Sequence, residues 1–302
     1  MDSNMSVEKS FPPLNLPFRH NFLCGQIYPP LIDGNEIHRT SNYDLRDDDV
    51  ILVTYPKSGT LWVQQILKCL YEKNGVCKDS RISSRNNLPQ AVPWIELLDI
   101  EEFNAMTSPR VMTTHETYNN IAWRPGTGAK YIYLSRNPRD VAVSYYHHIS
   151  GYRAYEYDEA LPQFVELFTK GKLPYGSWFA HTLDYIENLN NMNIFYLDYE
   201  SLHLNFEKIV MKLNRFLGLR HLSNEDLESI KERCSFTRMK VDSNANMSRF
   251  EHRRKPNSAD FLRKGHVGDW ENHLTKEECS SLDRVLDSYF SKTTKKFIYN
   301  LD

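Results

Sequence analysis

The sequence predicts an α/β fold in which helices cover a central parallel sheet. Short apolar, β-branched runs bounded by turn-forming residues indicate strands that are buried on both faces. Segments with a helical rhythm of apolar residues follow these runs, and such alternation is typical of a parallel sheet. A chain of 302 residues can form one domain with a large core. We therefore expect a single domain over residues 1–302, with an irregular lead-in over residues 1–20.

Strand and helix signals alternate along the chain. The predicted pairs are a strand at 50–55 with a helix at 61–70, a strand at 130–134 with a helix at 139–148, and a strand at 193–197 with a helix at about 204–217. A further strand is expected to end near 111–115. Pro138 near a first helical turn and Gly218 just past a last turn fit these boundaries. Ligands of such folds bind at the carboxyl ends of the strands.

Composition and charge exclude several classes of protein. The net charge of -2, with 25% charged residues, does not suggest a general surface for nucleic acid or anionic membrane. The first residues form no apolar signal region, and no stretch of about 18 apolar residues occurs, so we expect a cytosolic protein. The 5 cysteines are scattered without a Cys-x-x-Cys pair and are interpreted as free thiols. The sequons at Asn4 and Asn246 would matter only in a secreted chain.

The strongest chemical signal is the string Tyr55-Pro56-Lys57-Ser58-Gly59-Thr60, between a buried strand and a helix. Backbone N–H groups at a helix start form an anion site, to which Lys57 adds a full charge. Gly59 permits close approach of a phosphate, and Ser58 and Thr60 offer hydroxyl donors. An ordinary polar turn with a solvated lysine is the alternative, and the position between strand and helix favours phosphate binding. The string is not a Walker A loop.

Two later stretches complete a resemblance to a known family. They are Arg136-Asn137-Pro138-Arg139-Asp140-Val141-Ala142-Val143-Ser144-Tyr145-Tyr146 and Arg263-Lys264-Gly265-His266-Val267-Gly268-Asp269-Trp270. With the Lys57 string they resemble the cytosolic sulfotransferases, which transfer the sulfuryl group of 3′-phosphoadenosine 5′-phosphosulfate (PAPS) to small hydroxyls and amines and release PAP. The resemblance runs from about Phe22 to the C-terminus. It implies a P-loop-like three-layer α/β fold that needs no metal.

The resemblance implies which residues bind the donor. The set at the 5′-phosphosulfate comprises Lys57, Ser58, Gly59 and Thr60. The set at the 3′-phosphate comprises Arg136, Ser144, Arg263, Lys264 and Gly265. The adenine set comprises Trp62, Tyr199 and Phe236, with the flanking Cys234 and Met239, and Leu61 also belongs to the donor site. A guanidinium fork, hydroxyls and free backbone amides suit a phosphate, and aromatic rings suit a base. The alternatives are an ion pair of Arg136 with Asp140, a solvated Arg263-Lys264 pair, and simple core packing of the aromatic residues.

The matched positions also imply the chemical step. His115 is expected to be the general base for the acceptor, and Lys57 to supply positive charge where the leaving phosphate gains negative charge. A structural histidine is the alternative for His115 when taken alone. The expected acceptor-side residues are Thr113, Phe22, Trp94, Tyr152 and Phe250. The pair His147-His148 does not indicate a metal, because adjacent helical residues point about 100° apart.

Two departures from the family pattern bear on acceptor and assembly. Thr113 stands where many phenol-directed members carry lysine, and a small hydroxyl residue there is similar to the hydroxysteroid and amine branches. The segment 271–280 retains only the threonine of the family's dimer motif, and Lys276 replaces its valine, so a monomer or a homodimer with another interface is expected. The acceptor is expected to be a small, largely apolar alcohol, phenol, steroid or amine. The rival functions are a P-loop phosphotransferase, which would need Mg²⁺, and a catalytically silent PAPS-binding protein.

Overall fold

A four-stranded parallel sheet forms the centre of the fold in the computed structural model. The structure describes residues 15–23, 25–32, 43–75, 92–122 and 126–301. Cys24, Cys77, Asn4 and residues 1–14 of the expected lead-in lie outside the described residues. The strands are β1 (Asn21–Leu23), β2 (Gln26–Tyr28), β3 (Val50–Thr54), β4 (Val111–Thr114), β5 (Lys130–Ser135) and β6 (Ile194–Asp198). The sheet has the order β4-β3-β5-β6, and β1 and β2 form a separate antiparallel hairpin.

Helices follow β3, β5 and β6 in the predicted alternation, whereas no helix is described between β4 and β5. The described helices are α1 (Thr60–Lys73), α2 (Ile100–Ala105), α3 (Pro138–Gly151), α4 (Leu161–Thr169), α5 (Trp178–Glu187), α6 (Tyr199–Leu204), α7 (Phe206–Leu217), α8 (Asn224–Arg233), α9 (Phe236–Val241) and α10 (Lys276–Phe290). Among the described residues, no helix is long and apolar enough to cross a membrane. The predicted α/β architecture is therefore confirmed.

The strand β3 is buried on both faces, as its composition predicts. Val50 and Leu52 pack in a core with α1, α7 and α8, whereas Ile51 and Val53 pack in a second core on the opposite face. Alternate residues of a strand point to opposite faces, so an apolar residue at every position requires a core on each side. This double burial places β3 at the centre of the fold and the carboxyl end of β3 inside the molecule.

Some element boundaries differ from those predicted. The strand β3 ends at Thr54, and α1 runs from 60 to 73 instead of 61 to 70. The helix predicted at about 204–217 corresponds to α7 and begins two residues later, because Asn205 has a non-helical backbone (φ -139°). The short helix α6, which precedes Asn205, was not predicted. Leu204 ends α6, and Gly218 in the left-handed region ends α7 as predicted.

Candidate functional site

The loop between β3 and α1 brings backbone and side-chain donors to the end of the central strand. Lys57 (φ 69°) and Gly59 (φ 109°) both adopt left-handed backbone conformations. A Cβ at Gly59 would lie 2.5 Å from Cδ2 of Tyr199, so only glycine lets α1 begin this close to the Tyr199 ring. The Ser58 hydroxyl is buried and has no hydrogen-bond partner among the described residues. The loop therefore combines close backbone approach with an unused hydroxyl.

One cavity of about 530 Å³ joins the predicted donor and acceptor residues, which are far apart in the sequence. The predicted donor residues that line it are Lys57, Gly59, Thr60, Leu61, Trp62, Arg136, Ser144, Tyr199, Cys234, Phe236, Met239, Arg263, Lys264 and Gly265. Ser58 lies beneath this lining, because its side chain is fully buried. His115, Trp94, Tyr152 and Phe250 line the same cavity.

Arg136, at the end of β5, is held on two sides. Its Nη2 donates to the carbonyl of His266 at 3.0 Å, and its guanidinium lies 4.3 Å from the centroid of the Tyr199 ring. The ion pair with Asp140 exists at 3.3 Å, but both side chains are buried, so it is not the surface pair of the alternative interpretation. Within the described part of the chain, Nε of Arg136 has no partner. The guanidinium thus keeps a donor available.

The turn at residues 263–265 is fixed by a buried carboxylate. Arg263 Nη1 and Lys264 Nζ each lie 2.5 Å from an oxygen of Asp269; the Arg263 side chain is largely buried, whereas that of Lys264 is 41% exposed. Burial alone would raise the pKa of Asp269, but hydrogen bonds from Lys264 and Arg263 hold it well below the usual range. A Cβ at Gly265 (φ 71°) would lie 2.0 Å from Cδ2 of Phe236. This glycine therefore allows the turn to rest on the Phe236 ring.

Hydrogen bonds to Asp140 attach the same turn to the start of α3. The Asp140 carboxylate accepts from the backbone N–H groups of Gly268 at 2.9 Å and Trp270 at 3.1 Å. Asn137 caps α3 by accepting from the N–H of Asp140 at 2.9 Å, with Pro138 in the first turn. Arg136 directly precedes this cap. The hydrogen bonds of Asn137 and Asp140 therefore position both Arg136 and the chain after the turn at 263–265.

His115, immediately after β4, has a defined tautomer. Its Nδ1 lies 2.6 Å from the carbonyl oxygen of Thr54, which can only accept, so Nδ1 carries the proton. Nε2 is consequently the unprotonated nitrogen. Burial lowers the pKa of His115 from 6.5 to about 3. The charges of His181 and Lys57 also lower this pKa, whereas the hydrogen bond to Thr54 raises it. His115 is therefore neutral near pH 7 and can accept a proton at Nε2.

Lys57 lies in a crowded, positively charged part of the cavity. Its Nζ is 3.9 Å from the centroid of the Phe261 ring. Burial, followed by the charges of Arg136, Arg254 and Arg263, lowers the pKa of Lys57 from 10.5 to about 7. A neighbouring anion would restore the charged form, because it would offset the repulsion among these cations. The electrostatics of this region thus favour a bound anion.

Two predicted acceptor-side residues do not line the cavity. Thr113 is fully buried in β4, and its hydroxyl accepts from Nε2 of Gln64 at 2.8 Å. Phe22, in β1, packs against the core that contains α3 and α4. Both positions were inferred by resemblance, and neither residue is among the described residues that line the cavity. Within the described residues, the cavity wall beside His115 is formed without these two side chains.

Other lining residues were missed by the sequence interpretation. Tyr175 has a left-handed backbone (φ 66°), and its ring centroid lies 5.1 Å from that of His115. Phe261 contacts Lys57, and His148 was considered only as a metal ligand. The turn Pro174-Tyr175-Gly176 is a local signal for an unusual backbone, but no pattern indicates that its ring reaches His115.

A buried carboxyl group accepts a hydrogen bond from the backbone of His115. Glu96, 1% exposed, accepts from the N–H of His115 at 2.8 Å and from the Thr114 hydroxyl at 2.6 Å. Burial raises the pKa of Glu96. Burial and the charge of Glu96 raise the pKa of the adjacent Glu116 to about 8. These carboxyl groups were not predicted, because nothing in the sequence indicates that they are buried.

Comparison with known proteins identifies the family. The model of the sulfotransferase domain matches residues 47–296. The chain belongs to the sulfotransferase family. It is 35% identical over 274 residues to sulfotransferase 1E1 of Bos taurus (87% of this chain, 90% of the relative), and 33% identical over 277 residues to the amine sulfotransferase of Oryctolagus cuniculus (90% of each). The crystal structure of mouse sulfotransferase SULT7A1 complexed with PAP is similar, with a TM-score of 0.72, 28% identity and coverage of 92% of this chain and 95% of that chain.

The sequence-based predictions of a sulfotransferase fold, a PAPS-dependent sulfotransferase and PAPS as its donor are confirmed. The geometry of this sulfotransferase fits such a donor. The Ser58 hydroxyl and the Arg136 Nε have no partner among the described residues, and each can donate to an oxyanion. Gly59 and Gly265 keep open the space that a Cβ would fill against Tyr199 and Phe236. Donors, cations and aromatic faces are therefore present together.

Proposed function

We propose that this sulfotransferase transfers the sulfuryl group of PAPS to a hydroxyl or amine of a small, largely apolar acceptor, with His115 as the general base. One observation carries the proposal: Nδ1 of His115 donates to the Thr54 carbonyl, which leaves Nε2 free to take a proton in the cavity that also contains Lys57. A proton acceptor and a cation beside a phosphate-type loop are what sulfuryl transfer requires.

The donor supplies an activated sulfuryl group when it is bound. The loop at 57–62 is proposed to hold its 5′ end, with Lys57 charged and close to the leaving phosphate. Arg136, Ser144 and the turn at 263–265 are proposed to hold the 3′-phosphate. Asp269 and Asp140 support this assignment, because they fix the cations and the turn before any ligand arrives.

The adenine is proposed to lie among Trp62, Tyr199 and Phe236. The Trp62 and Tyr199 rings are in edge contact, with centroids 5.3 Å apart, and Arg136 covers a face of Tyr199. Cys234 and Met239 complete this part of the cavity lining. Aromatic faces bind a base without sequence-specific hydrogen bonds.

The acceptor is proposed to bind beside His115, among Trp94, Tyr152 and Phe250. The Trp94 ring centroid lies 4.4 Å from that of His115, so an acceptor that reaches Nε2 would also contact an aromatic wall. Alcohols, phenols, steroids and amines all have a polar group on an apolar body that suits such a wall. The amine sulfotransferase among the relatives supports amines within this range of acceptors.

The decisive experiment measures transfer of labelled sulfate from PAPS to a panel of phenols, alkyl alcohols, steroids and aryl amines, with and without a chelator. We expect metal-independent transfer by the wild type and a loss of at least about 100-fold in kcat for His115→Ala. The variant should still bind PAP, because His115 is not among the proposed donor contacts. Transfer by His115→Ala at the wild-type rate would refute its role as base.

The same experiment separates the rival functions. Tight PAP binding without turnover of any acceptor would favour a silent binding protein, and sulfate transfer in the presence of the chelator would exclude a Mg²⁺-dependent phosphotransferase. A monomer or an unusual homodimer stays a prediction for light scattering at several concentrations. The cytosolic location stays a prediction for cell fractionation.

A further inference from the structure

His148 is a second imidazole in the cavity, on the last part of α3. It lies one helical turn after Ser144, which also lines the cavity. Its surroundings are aromatic: the ring centroids of Tyr152, Phe261 and Tyr155 lie 4.7, 5.6 and 5.8 Å from that of His148. A hydrogen-bonding group within an otherwise apolar wall is the kind of feature that orients a ligand.

The buried Nδ1 of His148 makes no hydrogen bond to the described residues. Burial and the charges of Lys57, His115 and Arg254 hold the pKa of His148 well below its ordinary value, so the ring is neutral. A neutral imidazole has one donor and one acceptor nitrogen. Buried polar groups are nearly always paired, so a buried nitrogen without a partner, on a ring that lines the cavity, points to a ligand group.

His148 differs from His115 in how its ring is held. A carbonyl oxygen fixes the proton of His115 on Nδ1, whereas the described residues provide no equivalent anchor for either nitrogen of His148. A base that must present one lone pair at a defined place needs such an anchor. The ring of His148 can instead present either a donor or an acceptor to a ligand.

We propose that His148 is an acceptor-specificity residue that hydrogen-bonds a second, neutral oxygen of the acceptor, a carbonyl or a hydroxyl, away from the reacting group. This proposal rests on the proposed function, because it assumes that the acceptor reacts beside His115. The chemical class follows from the surroundings of the ring: the aromatic rings of Tyr152, Phe261 and Tyr155 lie around His148, and such a wall disfavours a charged group and suits a neutral carbonyl or hydroxyl.

The test uses pairs of acceptors that differ by one distant oxygen. The phenol pair is 4-butylphenol and 4-(4-hydroxyphenyl)butan-2-one, in which methylene groups insulate the reacting hydroxyl from the carbonyl. The steroid pair is 5α-androstan-3β-ol and its 17-oxo derivative. The wild-type enzyme should prefer the oxo member of at least one pair by about tenfold in kcat/KM, the effect of one buried hydrogen bond.

The variant His148→Phe keeps an aromatic ring and removes both nitrogens. It should lose the preference by raising KM for the oxo member, with kcat and the apolar member little changed. His148→Gln should retain part of the preference, because its amide can still donate and accept. The matched control is His147→Phe, a neighbour on α3 that is not among the cavity-lining residues and should behave as wild type.

Acceptor affinity is also measured without turnover, by tryptophan fluorescence of the PAP-bound protein, since Trp94 lies in the cavity wall. This measurement distinguishes a failure of the proposed function from a failure of the inference. An oxo preference in binding that His148→Phe removes supports the role of His148 even if no acceptor turns over. Equal loss for both members, an unchanged preference in His148→Phe, or no wild-type preference or binding for either pair would overturn it.

Discussion

His115 combines a low pKa with a fixed tautomer, and these have a measurable consequence. The folded protein holds this ring neutral down to about pH 3, whereas an ordinary histidine gains a proton near pH 6.5. As the pH falls below 6.5, His115 therefore gains a proton in the unfolded chain but stays neutral in the folded protein. Burying His115 thus costs stability progressively between pH 6.5 and about pH 3.

We predict that the His115 imidazole does not titrate between pH 5 and 8 in the protein without ligands. The measurement is the ¹⁵N chemical shift of its ring nitrogens, assigned by comparison with His115→Asn. The shifts should be those of a neutral ring with the proton on Nδ1 throughout. A transition with a midpoint near 6.5 would contradict the assignment and the inferred desolvation.

Lys57 should make donor binding depend on pH. Burial and the nearby arginines lower its pKa to about 7, and only its protonated form attracts an anionic ligand. The affinity for PAP should consequently fall as the pH rises from 7 to 9, by at most about tenfold per unit. Calorimetry should show this fall in the wild type and a nearly flat, weaker affinity in Lys57→Met.

The exposed Lys170, which pairs with Glu166 on the surface, provides the control for this prediction. Lys170→Met should show the wild-type pH dependence. If Lys57→Met retained the same slope, another group would be responsible for it.

At the level of secondary structure, the donor region depends on two left-handed glycines. Gly265→Ala would place a methyl group 2.0 Å from the Phe236 ring, at a backbone conformation that alanine disfavours. We expect PAP affinity to fall by about tenfold or more, equivalent to about 1.4 kcal/mol, because the turn must leave the ring or the ring must move.

Gly75→Ala is the matched control for this substitution. Gly75 (φ 74°) has a similar backbone, but no atom lies within 4 Å of the position of its Cβ. Its replacement should cost about 1 kcal/mol of stability from backbone strain alone. It should leave PAP affinity unchanged. If both variants lost affinity equally, strain and not the Phe236 contact would be the cause.

The sequence predicted the strands better than the ends of the helices. The apolar, β-branched run of β3, bounded by turn formers, indicated a strand buried on both faces, and Gly218 ends α7 where expected. The non-helical backbone of Asn205 was missed, because asparagine is tolerated within a helical pattern and its backbone angles depend on tertiary contacts.

The candidate site was predictable where a motif fixes both the residue type and the direction in which its hydrogen-bond donors point. The Lys57 loop and the 263–265 turn carry their donors on backbone that is local in sequence. That Thr113 and Phe22 do not line the cavity could not be predicted, because their surroundings depend on how β4 and β1 pack in the folded chain. His148 and Tyr175 enter the cavity through packing of distant segments, which leaves no local pattern.

For the molecule as a whole, the buried pair Glu96 and Glu116 should limit stability at high pH. The pKa of Glu116 is raised from 4.5 to about 8 by burial and by Glu96, so between these values the folded protein retains a proton that the unfolded chain releases. Unfolding therefore becomes easier as the pH rises through this range. The carboxyl group destabilises the folded state most above pH 8.

We predict that Glu116→Gln is more stable than the wild type at pH 8, by roughly 2–4 kcal/mol, and nearly equal to it at pH 5. Urea unfolding at both pH values measures the difference. The exposed Glu228 supplies the control, since Glu228→Gln should change stability little at either pH. A gain of equal size at pH 5 and pH 8 would show that packing, and not ionisation, is responsible.

Phe261 and the residues of the turn at 263–265 lie on one short stretch of chain, and all of them line the cavity. A replacement of Phe261 that reshapes the acceptor side would also shift the residues proposed to hold the donor. Natural divergence towards new acceptors is then expected to proceed through Trp94, Tyr152 and Phe250, which lie on separate segments. A mutant library built to redirect this enzyme should randomise those three positions and leave 261–265 intact.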